Sequence, residues 1–328
     1  MATAIEAPAS AGGPVQHTPF RFETATKEAR PVRALIDGPP GSKRTLAALQ
    51  MAAELGENIA VIDTERGRSR QHADEVSFSV TELSSFHPRD LMLALYTASD
   101  HDVIVIDSWS AFWSGPEGIL EQVDNATQRE KSANNNVGWR EVRPMERQML
   151  EAVMCCPAHV VATLRDKVEV VLRIDEAGRH IPVRVGTRPE QMSSLEYEVD
   201  FAASMLPTHE LVVTKSSVAA LESEVLDDAA AVGKALRAWA EEGVPRGPRA
   251  DFLHRAYEPE ATYESLSELA QEVQYNRASG MAAVNHAGAA TTLGELISFR
   301  LSRARKREQE AARRQQREAA RAGDQGAS

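Results

Sequence analysis

The sequence predicts an α/β fold with a mostly parallel central sheet, a β-hairpin extension and a helical C-terminal region. Three observations support this prediction. Short apolar runs alternate with helical patterns, the first run leads through a glycine-containing turn into a helix, and two later runs end in aspartate. Strands that alternate with helices are typical of parallel sheets covered by helices on both faces.

Length and composition fit one main domain with appendages. The chain has 328 residues, of which 42% are hydrophobic and 26% are charged, so it can bury one substantial core. No apolar stretch approaches the roughly 20 residues that a membrane-spanning helix needs, and we expect no membrane contact. The two cysteines, Cys155 and Cys156, are adjacent and exclude a disulfide framework. Because the first residues also lack a secretory signal, we expect a cytoplasmic protein.

The predicted elements follow one another in an alternating order and then become helical. The predicted strands are 32–36, 58–63, 78–80, 103–107 and 160–164, and the predicted helices among them are 45–55, 88–99 and 144–155. The β-rich runs 168–174 and 181–185 flank a turn at 175–178 and predict a hairpin, and runs 197–201 and 211–214 extend the sheet. Later helices are predicted at 229–240, 263–276 and 292–321.

Four segments follow from these patterns. They are a disordered leader (1–18), an α/β domain (19–220), a helical C-terminal region (221–290) and a basic helical tail (291–328). Between Arg300 and Arg321 the tail carries nine basic and three acidic side chains, on a chain whose net charge is −11. Such a tail predicts either a nucleic-acid contact or a solvated helix whose charges compensate one another.

The turn after the first strand has the spacing of the phosphate-binding loop G-x-x-x-x-G-K-[ST], with two letters changed. Lys43 stands where the second glycine belongs, and Arg44 stands where the lysine belongs. A strand before the turn and a helix after it are the context that the motif requires. The residues predicted to bind a nucleotide are Gly38, Pro39, Pro40, Gly41, Ser42, Lys43, Arg44 and Thr45.

Each changed letter has a physical consequence. Lys43 adds a Cβ atom at a position where glycine supplies backbone freedom. Arg44 keeps the positive charge, but its guanidinium is planar, whereas a lysine carries a compact ammonium on a flexible side chain. Lys43, one residue earlier, could bind the phosphates instead of Arg44. We therefore predict that ATP is bound with Mg²⁺ and that hydrolysis is weak or absent. A Gly/Pro turn that precedes a helix without binding a ligand is the alternative.

Two carboxylates follow predicted strands at the edge of the sheet where ligands bind. Asp107 ends an apolar strand and, with the hydroxyl of Thr45, is predicted to hold Mg²⁺. Glu65 lies two residues beyond a strand that ends at Asp63 and is predicted to activate a water molecule on the γ-phosphate. For Glu65 a plain surface-loop glutamate is the alternative, and many buried parallel strands end in aspartate without any such role.

Together these motifs resemble the RecA-type ATPase core. More narrowly, they are similar to the phage-encoded AAA-type nucleotide-binding proteins, a group that includes RecA-like single-strand-annealing recombinases. The resemblance spans about residues 18–220 and leaves the C-terminal third uncovered. It implies a RecA-like P-loop NTPase core and a role in DNA recombination, annealing or replication. It also rests on the stretches 20–26, 138–144, 157–163, 195–200 and 213–216.

The resemblance implies roles for individual residues. Glu65 takes the position of a water-activating glutamate, and Asp107 that of a magnesium-binding aspartate. Thr163 matches a sensor of the γ-phosphate. Lys215 resembles a basic residue that reaches a neighbouring subunit's nucleotide, with a lysine at a sheet edge as the alternative. Because RecA-type sites are commonly completed at subunit interfaces, the resemblance also implies a homo-oligomer, as a ring or a filament.

Two loops at the same edge of the sheet predict contact with single-stranded DNA, because basic side chains and an aromatic one can follow a phosphate backbone and stack a base. Packing of Trp139 in the core is the alternative to stacking. The loop residues are Lys131, Asn134, Asn135, Asn136, Trp139 and Arg140 in the first loop, and Arg165, Lys167, Arg179, Arg184 and Arg188 in the second.

The competing function is a non-catalytic scaffold, in which a degenerate P-loop domain assembles through its C-terminal helices.

Overall fold

The computed structural model describes residues 24–131, 134–174, 180–191, 195–222, 224–244 and 250–325. The predicted leader (1–18), the predicted hairpin turn (175–178) and Arg179 lie outside the described residues. The strands are β1 Arg33–Gly38, β2 Ile59–Asp63, β3 Ser79–Glu82, β4 Val103–Asp107, β5 His159–Ile174, β6 His180–Pro189, β7 Phe201–Met205, β8 Leu211–Ser216, β9 Val225–Leu226, β10 Ala282–Val284 and β11 Ala290–Thr292. The helices are α1 Arg44–Leu55, α2 Pro88–Thr97, α3 Ser110–Ser114, α4 Ile119–Arg129, α5 Asn136–Met154, α6 Leu195–Glu198, α7 Ala229–Glu241, α8 Ala250–Tyr257, α9 Tyr263–Tyr275 and α10 Leu293–Gln325.

A nine-stranded sheet forms the centre of the described fold. Its order is β3-β2-β4-β5-β1-β7-β8-β9, and β6 pairs with β5 alone. The strands from β3 to β7 in this order are parallel, whereas β6, β8 and β9 pair in the antiparallel direction. The prediction of an α/β fold with a mostly parallel sheet is therefore confirmed. Because β5 lies between β1 and β4, the ends of these three strands meet at one edge.

Helices cover both faces of the sheet because its central strands are apolar on both sides. Leu35 belongs to the core under α2, α4 and α5, and its neighbour Ile36 belongs to the core under α1 and α7. Helix α7 packs closely on α1, since a Cβ atom on Gly233 would lie 2.6 Å from the carbonyl oxygen of Met51. The hydrophobic core therefore extends past residue 220, where the sequence pattern changes.

The C-terminal region is largely helical, as predicted, and it also contains a small sheet that the sequence did not reveal. Strands β10 and β11 form a two-stranded antiparallel sheet, and runs of three residues are too short for periodicity to reveal. The Tyr257 hydroxyl donates to the carbonyl of Val284 and accepts from its N–H, which ties this sheet to α8. Helix α10 spans 33 residues, but none of the described helices combines the length and the apolar character needed to cross a membrane.

Three other elements differ from the predicted ones. Helix α5 begins at Asn136 rather than at 144 and contains Pro144. Its N-terminal half packs closely on α4, since a Cβ atom on Gly138 would lie 2.3 Å from the carbonyl oxygen of Val123. Run 197–201 is not a strand. Its first residues belong to the single turn of α6, which the buried Leu195 anchors, and only its last residue, Phe201, belongs to β7. Runs 160–164 and 168–174 form one strand, β5, because the residues between them continue to pair with β6.

Candidate nucleotide-binding site

The predicted phosphate-binding loop connects β1 directly to α1. Gly41 has a φ of 85° and Lys43 a φ of 65°, both in the left-handed region of backbone conformation. Glycine enters this region freely, whereas a residue with a Cβ atom does so at a cost of about 1–2 kcal/mol. The structure therefore places Lys43, whose side chain is exposed, in the conformation for which the motif uses glycine.

The loop and the N-terminus of α1 offer donors to an anion. Among the described residues no side chain caps α1, whose first flanking residue is Lys43. The first N–H groups of a helix therefore remain available to a bound phosphate. Ser42 Oγ and Arg44 Nε are buried and have no hydrogen-bond partner within the described part of the chain. Because buried polar atoms are normally paired, these two orphaned atoms fit the oxygens of a phosphate group.

Asp107, Thr45 and Thr163 lie in contact where β4, α1 and β5 meet. The Thr45 hydroxyl donates to Asp107 Oδ2 at 2.9 Å, and the Thr163 hydroxyl donates to Oδ1 of the same carboxyl. Burial raises the pKa of Asp107, the bond from Thr163 opposes this, and the charge of Glu65 raises it further. The carboxyl and hydroxyl oxygens are the kind of ligand that Mg²⁺ prefers. Both residues predicted to hold Mg²⁺ are thus adjacent, with the predicted sensor beside them.

Glu65 faces the same cleft from the loop after β2, with a side chain that is only 5% exposed. Arg44 Nη2 and Arg165 Nε each donate to Glu65 Oε1 at 3.0 Å, and Arg68 Nη1 lies 3.3 Å from Oε2. Burial acts to raise the pKa of Glu65. The hydrogen bond from Arg165 and the charges of Arg44 and Arg165 outweigh burial and bring this pKa below its ordinary value. Glu65 is therefore not the surface-loop glutamate of the alternative interpretation.

Asp63, which the sequence marked only as the end of β2, sets the path of the loop that carries Glu65. Its carboxylate accepts from the N–H groups of Glu65 at 2.7 Å, Gly67 at 3.2 Å and Ser69 at 3.1 Å. Aspartate commonly binds backbone N–H groups a few residues further on in turns. The succession of aspartate, a short polar run and a glycine was the signal that could have identified this role.

Arg165 is the functional candidate that sequence reasoning placed elsewhere, in a DNA-facing loop. The structure pairs it in register with Gly38 and directs its guanidinium to Glu65. No local pattern could have revealed this contact, because it follows from the position of β5 between β1 and β4. Arg165 thus joins the four predicted residues Thr45, Glu65, Asp107 and Thr163 in one cleft.

Lys215 is not brought to this cleft within the chain. It lies on β8, two strands from β1, and its Nζ donates to the carbonyls of Glu196 at 2.7 Å and Tyr197 at 2.9 Å. A lysine at this place satisfies the last carbonyls of α6. Its role at a neighbouring subunit's nucleotide stays a prediction.

The first loop predicted to contact DNA leads into α5, which contains its residues Asn136, Trp139 and Arg140. Trp139 packs against Trp113, with ring centroids 5.9 Å apart and ring planes 32° apart. This contact favours the packing interpretation of Trp139 over free base stacking. Beside it, α5 presents a cavity of about 360 Å³ lined by Asn136, Trp139, Arg140, Arg143, Pro144 and Arg147.

Comparison with known protein families adds an independent observation. The sequence profile of a family described as "AAA domain" matches residues 30–223, a span that contains the loop, Glu65, Asp107 and Thr163. The chain belongs to the AAA domain family. Comparison with curated proteins finds no match. Membership of the AAA domain family indicates a nucleotide-binding, ATPase-like P-loop protein, and such domains typically bind their nucleotide with Mg²⁺.

Proposed function

We propose that this AAA-domain protein binds ATP with Mg²⁺ in the cleft at the carboxyl edge of its sheet, and that it hydrolyses ATP weakly or not at all. One observation carries the proposal. Thr45 and Asp107 are in hydrogen-bond contact beside a loop in which the buried Ser42 Oγ and Arg44 Nε have no partner among the described residues. Orphaned donors next to a paired hydroxyl and carboxyl fit a phosphate and its cation.

Each residue has a defined part in this proposal. Thr45 and Asp107 would hold Mg²⁺, which supplies positive charge against the phosphates. Ser42 and the first N–H groups of α1 would bind phosphate oxygens. Glu65 would orient a water molecule, but its hydrogen bonds with Arg44 and Arg165 stabilise the charged carboxylate. A carboxylate stabilised in this way is a weaker base, which is the physical reason to expect slow hydrolysis.

The first test is calorimetric titration of ATP into the full-length protein, with Mg²⁺ or with a chelator, beside an assay of phosphate release. We expect binding that Mg²⁺ strengthens and little release of phosphate. Asp107→Ala should lose the gain in ATP affinity that Mg²⁺ gives to the wild type. Asp74→Ala, which changes an exposed carboxylate, should bind ATP as the wild type does. If the wild type does not bind ATP, the proposal is wrong. If it binds ATP and releases phosphate fast, the proposed weak hydrolysis is wrong.

We further propose that the protein acts on DNA in recombination, annealing or replication, as a cytoplasmic ring or filament of phage or prophage type. The support is the sequence resemblance together with the exposed side chains of Arg140, Arg143 and Arg147 on α5. Arginines on one helix face can follow a phosphate backbone. In such an assembly, Lys215 would contribute to a neighbouring subunit's site.

Fluorescence anisotropy with a labelled single-stranded oligonucleotide tests the DNA proposal. Replacing Arg140, Arg143 and Arg147 with alanine should weaken binding and reduce its dependence on salt, since each lost phosphate contact lowers the salt slope. Replacing Arg313 and Arg314 with alanine tests the basic tail separately. Equal binding by wild type and the α5 variant would contradict a role for this surface. Light scattering with and without ATP would reveal a ring or a filament.

A specific observation favours a second candidate function, a non-catalytic scaffold. Arg44 Nη2 donates to Glu65 Oε1 across the cleft, so the residue at the lysine position of the motif is bound by a carboxylate of its own chain. A scaffold would assemble through its C-terminal helices to the same size with and without ATP. No ATP binding in calorimetry, together with an unchanged assembly, would favour this function over the first.

A further inference from the structure

The long C-terminal helix α10 is held to the protein by its first turns. Leu293, Ile297 and Ala304 are buried on the side of the helix that packs on the rest of the C-terminal region. From residue 305 to residue 314 every side chain is exposed. The helix therefore continues well beyond the apolar contacts that hold its beginning, and a large part of its surface is available to a partner.

The side of α10 that faces away from the core carries a basic stripe that starts at an aromatic ring. At about 100° per residue, four exposed side chains lie within about 80° of one another around the helix axis: Phe299, Arg303, Lys306 and Arg313. Glu310 lies in the same stripe. We call these five residues the outer face of α10. From Phe299 to Arg313 the outer face is about 21 Å long at the rise of an α-helix.

The acidic side chain nearest to the middle of this stripe in sequence does not neutralise it. Glu308 lies about 180° from Phe299 around the helix, and its Oε1 accepts from the backbone N–H of Tyr263, at the start of α9, at 3.1 Å. A carboxylate is favourable at that place because of the dipole of α9. The outer face consequently has three basic members and one acidic member, Glu310, and a polyanion would balance the difference.

Phe299 forms an aromatic platform at one end of the outer face. Its side chain is 42% exposed. The ring of His286, from the loop between β10 and β11, stacks on it with ring centroids 5.0 Å apart and ring planes 5° apart. The guanidinium carbon of Arg303 lies 5.8 Å from the centre of the Phe299 ring. Because His286 is also exposed, a further planar group can extend the stack, and unpaired nucleobases bind to aromatic and arginine side chains in this way.

The outer face begins next to the arginine surface of α5. Gln148 Nε2 on α5 donates to Glu295 Oε1 on α10 at 2.8 Å, and Glu295 precedes Phe299 by about one helical turn. Arg147, the neighbour of Gln148 in the chain, is exposed on α5. A polymer that follows the arginines of α5 would therefore reach the outer face of α10 at this contact.

We propose that the outer face of α10, together with His286, binds single-stranded nucleic acid. An unpaired base extends the stack of His286 and Phe299, and the phosphates follow Arg303, Lys306 and Arg313. The inference rests on the proposed action on DNA and deepens it by a second binding surface. That surface lies outside residues 30–223, the part of the chain that matches the AAA domain family.

Fluorescence anisotropy with a labelled single-stranded oligonucleotide of about 20 nucleotides tests the basic part of the surface. Replacing Arg303, Lys306 and Arg313 together with glutamine should lower the affinity at least about tenfold at about 0.1 M salt. The slope of log affinity against log salt concentration should decrease by about 2, because three phosphate contacts are lost.

A matched pair of single variants separates the outer face from the general charge of the helix. Lys306→Gln and Arg305→Gln each remove one exposed positive charge from neighbouring positions, but Arg305 lies about 120° from Phe299 around the helix. Lys306→Gln should lower the affinity severalfold, whereas Arg305→Gln should bind almost as the wild type does. Equal losses would overturn the proposal, because binding would then follow the charge of the tail and not this face.

The aromatic part is tested with Phe299→Leu, which keeps an apolar side chain but removes the ring. We expect the affinity for the single strand to fall at least about fivefold with an unchanged salt slope, since one stacked base is lost and no charge. Phe299→Tyr keeps a ring and should bind as the wild type does. The same oligonucleotide paired with its complement offers no unpaired base, so its affinity should not respond to Phe299→Leu. An equal response of single strand and duplex, or none, would overturn the proposal.

The failure of this inference differs from the failure of the proposed action on DNA. If the wild type binds no single strand, both are wrong. If replacing Arg140, Arg143 and Arg147 on α5 weakens binding while the outer-face variants bind as the wild type does, the inference alone is rejected. Far-UV circular dichroism checks the fold of each variant, and His286→Ala takes the place of Phe299→Leu if the latter does not fold.

Discussion

Arg44 and Glu65 form a buried ion pair across the cleft, with Nη2 and Oε1 3.0 Å apart and side chains 10% and 5% exposed. The residue at the lysine position of the phosphate-binding motif is thus bound to a carboxylate of its own chain. A carboxylate that several guanidinium groups stabilise is a poor base. The ion pair therefore links the changed letters of the motif to the slow hydrolysis that we propose.

Restoring the motif should increase turnover. In the double variant Lys43→Gly, Arg44→Lys, glycine relieves the backbone and an ammonium replaces the planar fork. We expect the rate of phosphate release to rise at least about tenfold, the effect typical of one charge-assisted contact. The single variants are the controls. No release from the double variant would mean that Glu65 and Asp107 are not arranged for hydrolysis.

Lys43→Gly should stabilise the folded protein. The φ of 65° at Lys43 is unfavourable for a residue with a Cβ atom, so glycine should raise the free energy of unfolding by about 1 kcal/mol. Urea denaturation at neutral pH measures the change. The control is Lys43→Ala, which removes the same exposed side chain but keeps the Cβ atom. If alanine stabilises as much as glycine, the backbone conformation is not the cause.

Asp37 should make stability depend on pH. It is 5% exposed near the end of β1. Burial, and then the charge of Asp166, raise its pKa from 3.8 to about 7, although a hydrogen bond from Ser204 opposes this. The folded protein therefore holds a proton that the unfolded chain releases, so stability falls as pH rises between about 4 and 7 and then levels off.

The variant Asp37→Asn removes this dependence. Relative to the wild type, its free energy of unfolding should be higher by about 2–4 kcal/mol at pH 8, and the difference should shrink toward pH 4.5. Urea denaturation at the two pH values measures it. The exposed Asp74 offers the control Asp74→Asn, for which we expect no such trend. A difference that is equal at both pH values would assign the effect to packing rather than to protonation.

Thr45→Val should weaken the contribution of Mg²⁺ to ATP binding. Valine keeps the shape of threonine but lacks the hydroxyl that contacts Asp107 at 2.9 Å. In calorimetry, we expect the gain in ATP affinity on adding Mg²⁺ to decrease about tenfold. Thr97→Val changes an exposed threonine on α2 and should bind as the wild type does. Retention of the full gain by Thr45→Val would remove Thr45 from the metal site.

Much of the fold could be predicted because its signals are local. The apolar runs that end at Asp63 and Asp107 and the turn from Gly38 into α1 are readable in any short window. The strands β10 and β11 and the start of α5 were missed for the opposite reason. Three-residue strands carry no periodicity, and the N-terminal half of α5 packs against α4, a tertiary contact that no local pattern contains.

The sequence by itself determined which residues are available to the cleft: a loop with motif spacing but two changed letters, and carboxylates at the ends of apolar strands. Only the tertiary structure decided how they pair. By placing β5 between β1 and β4, it brought Thr163 to Asp107 and Arg165 to Glu65 and left Lys215 two strands from β1. Such contacts join residues up to about a hundred positions apart, and they depend on strand order, which is a property of the whole packed sheet rather than of any segment.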